Sequence, residues 1–249
     1  MSTALPTRPV LHSEWIKIRS LRGSFAALIT ILAATAGIQA LAAAAIGRAE
    51  RGALGEDPLF AAYYGILWGQ IAAMAFGTTV LSAEFHNGAL RTSLAAVPGR
   101  TRFYLSKMAV IGGLALVVGQ VTGLLTFVAG QAFMGPYAIH LGDPGTYRSI
   151  VGSGLYLTLI ALFAAGLTAV LRSGALVLSL LIPFVLMVSF IVGAATGGPA
   201  EFLPDRAGQL VMHGQADGRL GPWSGLGVLA LWTGASLTGG WLAVRRRAA

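Results

Sequence analysis

The sequence contains no cysteine and only nine acidic residues among 249. The first absence excludes a disulfide framework and any thiolate metal site. Charged residues of both signs make up 10% of the chain, whereas ordinary soluble domains carry roughly a quarter. A chain this poor in charge cannot cover a water-facing surface. With 55% hydrophobic residues and a mean hydropathy of +0.74, its composition is that of an integral membrane protein. Lysine is nearly missing as well. Lys17 and Lys107 are the only two, and neither follows a glycine. A P-loop needs Gly-x-x-x-x-Gly-Lys-Ser/Thr, whose backbone amides and lysine cradle phosphates. No nucleotide site is therefore expected on this chain. The four histidines, His12, His86, His140 and His213, are scattered, with no second ligand at helical spacing. The expectation is no catalytic residue, no metal and no cofactor of the chain's own.

What the sequence does contain is long apolar runs. A spanning helix needs about 20 mostly apolar residues. Six stretches qualify: 24–46, 61–83, 109–134, 151–171, 174–195 and 223–244. The first is too long for a signal peptide, whose apolar region runs about 7–15 residues. The span centres hold no Asp, Glu, Lys, Arg or His. Their polar residues are Gln, Ser and Thr, such as Gln39, Gln70, Gln120 and Thr168. Ion-coupled transporters use intramembrane ionisable groups as relays, and no charged filter ring is visible. Gly65-xxx-Gly69 and Gly119-xxx-Gly123 permit close helix approach. Pro183 predicts a kink in the fifth span.

Orientation follows from the basic residues of the loops. Twelve Lys and Arg fall on the side of the N-terminus, the 84–108 loop, Arg172 and the C-terminal arginines; five fall opposite, with seven of the nine acids. Both termini and loop 84–108 are therefore expected in the cytoplasm. The expected organisation is one membrane domain: an N-terminal segment 1–23, spans one and two in 24–83, the loop 84–108, spans three to five in 109–195, an outer loop 196–222, and the last span with its tail in 223–249.

Two cytoplasmic stretches carry structure. In residues 10–22, Leu11, Trp15 and Ile18 recur at helical spacing, and Glu14, Lys17 and Arg19 lie among them. An apolar stripe with basic flanks suits a helix lying in the membrane interface. In 84–108, Leu90, Leu94 and Val97 share a face, Pro98 and Gly99 break the helix, and Thr101 is placed to cap the next one. The expected shape is a helix-break-helix elbow. Glu84 is the odd residue, because the helix dipole disfavours a carboxylate at a C-terminus by about 0.3–1 kcal/mol. It needs a compensating partner: either Arg91 or Arg102 within the chain, or a docked protein surface.

Three segments, "EWIKIRSLRGS" at 14–24, "EFHNGALRTSLAAVPGRTRFYLSK" at 84–107, and "FLPDRAGQ" with "GPWSGLGVLALW" within 202–232, give the chain a resemblance to the permease subunit of ABC-2 type transporters. The small bacterial drug- and antibiotic-export permeases are the nearest in kind. The resemblance implies an all-α membrane fold with six spans, an amphipathic N-terminal helix and a cytoplasmic coupling loop. It implies two separate ATP-binding subunits carrying ATP and Mg²⁺, a second permease copy or a sister chain, the bilayer of a bacterial cytoplasmic membrane with both termini inside, and no nucleic acid. The ATPase-coupling interface would comprise Glu84, Asn87, Arg91, Leu94, Pro98, Arg100 and Arg102, and the interfacial helix Glu14, Trp15, Lys17 and Arg19. Segment 196–222 would be a re-entrant hairpin in the outer leaflet. The chain ends in "RRRAA", where many relatives have an acidic residue after the arginines. The alternatives are a non-transporting membrane anchor or accessory protein and an ion-coupled secondary transporter.

The expected orientation is testable because no native thiol interferes. Single cysteines at Ala4, Thr101, Gly142 and Gly214, treated in intact cells with an impermeant thiol reagent, should be labelled only at the last two. Labelling at Thr101, or silence at both Gly142 and Gly214, overturns the six-span orientation.

Overall fold

The computed structural model describes residues 15–16, 22–46, 57–85, 99–134, 138–196, 198–215 and 218–246. Among these residues every regular element is helical. The long elements are α1 (Arg22–Ile46), α3 (Ile66–Ser82), α4 (Arg100–Met134), α5 (Thr146–Leu171), α6 (Gly174–Pro183) continuing into α7 (Ser189–Thr196), and α9 (Pro222–Arg246). Two short helices, α2 (Pro58–Ala61) and α8 (Pro204–Gln209), lie at one end of the bundle. Six helical segments are long and apolar enough to cross a membrane, so the chain is a multi-pass membrane protein.

α5 is the hub. It packs against α9, α4 and α3, while α1 covers α4 and α3. Most of α5 is buried, including Tyr156, Leu157, Ile160 and Ala164. The contacts are made by small residues. Gly119 on α4 lies against the Gly154 carbonyl of α5, 2.7 Å from where a Cβ would stand, and Gly77 on α3 lies closer still to the Ala161 carbonyl. In lipid this close approach substitutes for a hydrophobic driving force between helices.

Local chemistry sets the helix ends. Asp57 caps α2, its Oδ1 accepting from Leu59 and Phe60 N–H at 3.1 Å, with Pro58 at the first helical position. Ser173 caps α6 by accepting from Leu176 N–H at 3.3 Å. Arg172 closes α5 in the left-handed region at φ +56°, uncommon for a side-chain-bearing residue and suited to a tight turn.

The structure moves two expected boundaries and gives the expected kink its form. The second span does not run unbroken from 61. The chain turns at 62–65 before α3 starts. Gln39 of α1, fully buried, mends that break: its Nε2 donates to Ala61 O at 3.1 Å and its Oε1 accepts from Gly65 N–H at 2.9 Å. A mid-span glutamine is thus satisfied by backbone groups that the turn has freed. The third span does not start at 109 but as a single 35-residue helix at Arg100. Pro98 and Gly99 are the last breakers, and nothing after them stops helix propagation. Phe103 N–H donates to Gly99 O at 2.9 Å, so Gly99 rather than Thr101 is the first acceptor. Thr101 Oγ1 instead accepts from Trp241 Nε1 at 3.0 Å. Finally, the sequence kink at Pro183 takes the form of a π-helical turn over Phe184–Val188. Proline supplies no N–H to the ladder, and Ser189 N–H reaches back five residues to Phe184 O.

The glycine seams give a stability test. Gly77→Ala and Gly119→Ala place a methyl inside backbone van der Waals range and should each cost about 1–3 kcal/mol, read as a fall of several degrees in thermal unfolding in detergent. Gly113→Ala faces open space and should leave the transition in place. Equal melting of all three overturns the role of these contacts.

Candidate functional site

The end of the bundle where α3 stops and α4 starts carries most of its buried charge. After Ser82, α3 tightens into a 3₁₀ turn, Ala83–Phe85, as helix ends do when their last carbonyls seek donors. This turn carries Glu84 inward, where it is 5% exposed. Opposite it, two turns into α4, stands Lys107, 1% exposed, with Nζ 2.5 Å from Glu84 Oε1. The bond is short, as charge-assisted hydrogen bonds are. A partner for Glu84 is therefore on the same chain: Lys107, a residue that the sequence reading had not paired with it.

Lys107 sits on the buried stripe of α4. Phe103, Tyr104, Met108 and Ile111 surround it on the same face. Tyr104 carries that face across to α9, donating its hydroxyl to Leu237 O at 2.9 Å. This bond adds to the hold of the ion pair, because an unsatisfied phenol in the interior costs about 1–3 kcal/mol. At the start of α4, Arg100 Nη1 donates to Arg245 O at 3.1 Å and Val244 O at 3.4 Å. It supplies donors to the last carbonyls of α9, which have none within that helix. Trp241, held by Thr101, lies under the Arg245 guanidinium at 4.8 Å. On the other side, Arg172 stands 5.9 Å over the Phe85 ring. The ends of α3, α4, α5 and α9 are thus laced together by an ion pair, hydrogen bonds and a cation–π contact.

Of the residues that the sequence singles out, the structure brings together Glu84, Arg100 and Arg102 at this end. Asn87, Arg91, Leu94 and Pro98 lie outside the described residues, as do Glu14, Lys17 and Arg19 of the N-terminal stretch. Trp15 is helical and exposed. Sequence reasoning treated Lys107 only as a topological charge. The signal was present: Phe103, Lys107 and Ile111 recur every four residues, which places the lysine on the apolar face of a helix. Tyr104 was missed, and Trp241 read only as a membrane-interface anchor, because their partners lie 133 and 140 residues away.

Removing one member of a buried ion pair strands the other and costs about 3–5 kcal/mol. Glu84→Ala and Lys107→Ala should each lower the thermal unfolding temperature sharply. The double change Glu84→Gln with Lys107→Met, which leaves no buried charge, should recover most of the loss. Single variants that melt with the wild type would show that the pair holds nothing.

Compared with known proteins, the chain matches no family model and has no significant match among curated sequences, so the reading of this site rests on its own geometry.

Proposed function

We propose that this chain is the membrane-spanning permease subunit of an ABC-2 type exporter. In this reading it works in a bacterial cytoplasmic membrane with both termini inside, paired with a second copy or a sister chain. ATP and Mg²⁺ belong to two separate ATP-binding subunits. The chain supplies the path and receives the force.

One observation carries the reading. The helix ends on either side of segment 86–98, the turn ending at Phe85 and α4 starting at Arg100, are locked together by the buried Glu84–Lys107 pair. A segment strung between independent helix ends would absorb a push by bending. One anchored to a clamped pair of helices passes the push on. The same end ties α4 to α9 through Arg100, Thr101 and Tyr104. α4, at 35 residues, is about 50 Å long at 1.5 Å per residue. This exceeds the roughly 30 Å hydrocarbon core, so it projects past the membrane as a lever. Closure of ATP-bound subunits against 86–98 would then shift the α3–α4 pair as one body, a rigid-element switch of the kind seen in many transport proteins.

In this reading Glu84 and Lys107 hold the clamp and do not themselves face the ATPase. Contact falls to the intervening residues, with Arg91 and Leu94 the expected anchors. The test separates clamp from contact. The permease is co-expressed with an ATP-binding-cassette subunit, and copurification, coupled ATP turnover and thermal unfolding are measured together. Arg91→Ala and Leu94→Ala should weaken assembly or coupled turnover roughly tenfold or more, as losing a charged hydrogen bond or a buried anchor does, with unfolding unchanged. Wild-type assembly and turnover in both variants, or ATP hydrolysis that copurifies with this chain alone, overturns the subunit assignment.

A further inference from the structure

At the opposite end of the bundle lies a cavity of about 530 Å³, within the size range of sites that hold drug-sized molecules. Its walls come from α2 and the first turns of α3, from the π turn and Ser189, and from α8. One wall is aromatic, with Phe60, Tyr64 and Trp68; Tyr64 and Trp68 are each 43% exposed. Leu67, Val185 and Leu186 extend the apolar lining.

The polar lining is buried and incomplete. Gln70, Tyr156 and Gln209 form a chain: the Tyr156 hydroxyl donates to Gln70 Oε1 and accepts from Gln209 Nε2, the latter at 3.3 Å. Those groups are satisfied. Asp205 and Ser189 are not. Asp205 is 3% exposed and Ser189 1%, both residues line the cavity, and neither Asp205 Oδ1 nor Ser189 Oγ completes a hydrogen bond. Buried polar atoms are almost always partnered. A carboxylate oxygen and a hydroxyl left incomplete in one wall mark a place where a polar ligand can be received, and the carboxylate calls for a donor.

The charges around them decide its sign. Arg206 is already engaged: its Nε donates to Ser189 O at 2.9 Å, and its guanidinium lies flat where a side chain on Gly193 would stand. Glu201 accepts from Arg219 N–H at 2.9 Å. His213 is held by Asp57 at 2.9 Å and stacked on Phe60 at 4.0 Å. The open valence is the Asp205 carboxyl. Burial pushes its pKa up, opposed by the neighbouring Ser189 hydroxyl, which lies close without completing a hydrogen bond, by backbone N–H groups and by the Arg206 charge. A cationic N–H donor would satisfy the carboxylate and the serine together. The aromatic wall suits the same ligand, since ring faces attract cations and cover apolar surface.

We infer that this cavity binds an amphipathic organic cation, its ammonium seated by Asp205 and Ser189 and its apolar body against Tyr64, Leu67 and Trp68. The inference rests on the export reading only for the fate of the cation, because binding needs no ATPase.

The experiment uses the purified full-length chain in detergent with rhodamine 6G, a cationic dye bearing N–H donors, followed by fluorescence anisotropy. Fluorescein serves as the anionic counterpart. Rhodamine 6G should bind saturably and fluorescein should not. Asp205→Asn keeps the shape and removes the charge, so it should weaken dye binding roughly tenfold or more without lowering the unfolding temperature. Trp68→Ala, at a partly exposed position, should weaken it severalfold. Absence of saturable rhodamine binding, fluorescein binding of equal strength, or affinities within twofold of wild type in both variants overturns the inference. Dye binding with no ATPase assembly would sink the export reading and leave the site standing. Intact ATPase coupling with no dye binding would do the reverse.

Discussion

In a bilayer, apolar side chains gain nothing by exchanging acyl chains for each other, so helices are held by close backbone approach and by polar contacts. The bundle depends on this constraint, and α5 is where it is met. Its Gly154 and Ala161 carbonyls receive Gly119 of α4 and Gly77 of α3, and Gly166 receives Ser236 of α9. Each contact brings a helix close enough for side-chain donors to reach the neighbouring backbone. Thr233 Oγ1 donates to Leu159 O at 3.2 Å and Ser236 Oγ to Phe163 O at 2.8 Å, both from α9 to α5. With α3, α4 and α9 fixed on one central helix, the positions where those helices end are fixed as well. The polar clusters at the two ends of the bundle inherit their geometry from the glycines between them.

Many buried polar groups in this frame bond to backbone carbonyls or N–H groups. Thr78, Thr122 and Thr168 donate back to the carbonyl four residues earlier, and Gln39 serves the turn between α2 and α3. Such contacts hold shape without storing charge. Glu84 and Lys107 differ. A buried ion pair is expensive to desolvate and is often no more stabilising than an apolar pair of similar volume. Its distinctive property is directional: once formed, it admits one register of α3 against α4. Under the proposed function, that is what a clamp beside a force-receiving segment requires, and what an apolar contact would supply less sharply.

How far this was legible from sequence depends on which physics each residue reports. The apolar runs report desolvation, and all six spanning segments follow from them because twenty apolar residues in a row have few other uses. Pro183 marks the irregular turn because its missing N–H acts locally. The break at 62–65 was not legible: Ala62 and Tyr63 are apolar and helix-compatible, and the partner that stabilises the turn is Gln39 on another helix. Lys107 was half legible, since its place on the apolar stripe of α4 shows in the spacing while its pairing with Glu84 is tertiary. Asp205 was not legible at all. In sequence it lies in the expected outer hairpin, whose pattern does not show which residues turn inward, and its burial comes from α8 packing against α9 and α5. Periodicity shows which faces are buried and is silent about what waits there.

The two polar ends share an element. α3 begins with Leu67, Trp68 and Gln70 in the cavity wall and runs straight to Ser82, from which the 3₁₀ turn carries Glu84 into its pair with Lys107. From Gln70 to Glu84 is fourteen residues, about 21 Å at 1.5 Å per residue. An unbroken helix of that length needs no relay of side chains to connect its ends, so a displacement of the clamp is a displacement of the cavity wall. The facing wall is built differently. Val185 and Leu186 belong to the π turn that follows Pro183, where the ladder of hydrogen bonds is already irregular and a change of register breaks less. Under the proposed function, one wall of the cavity is stiff and tied to the force-receiving end, and the other is compliant. Such a pairing lets a rigid-body shift open or narrow the cavity without unfolding either helix.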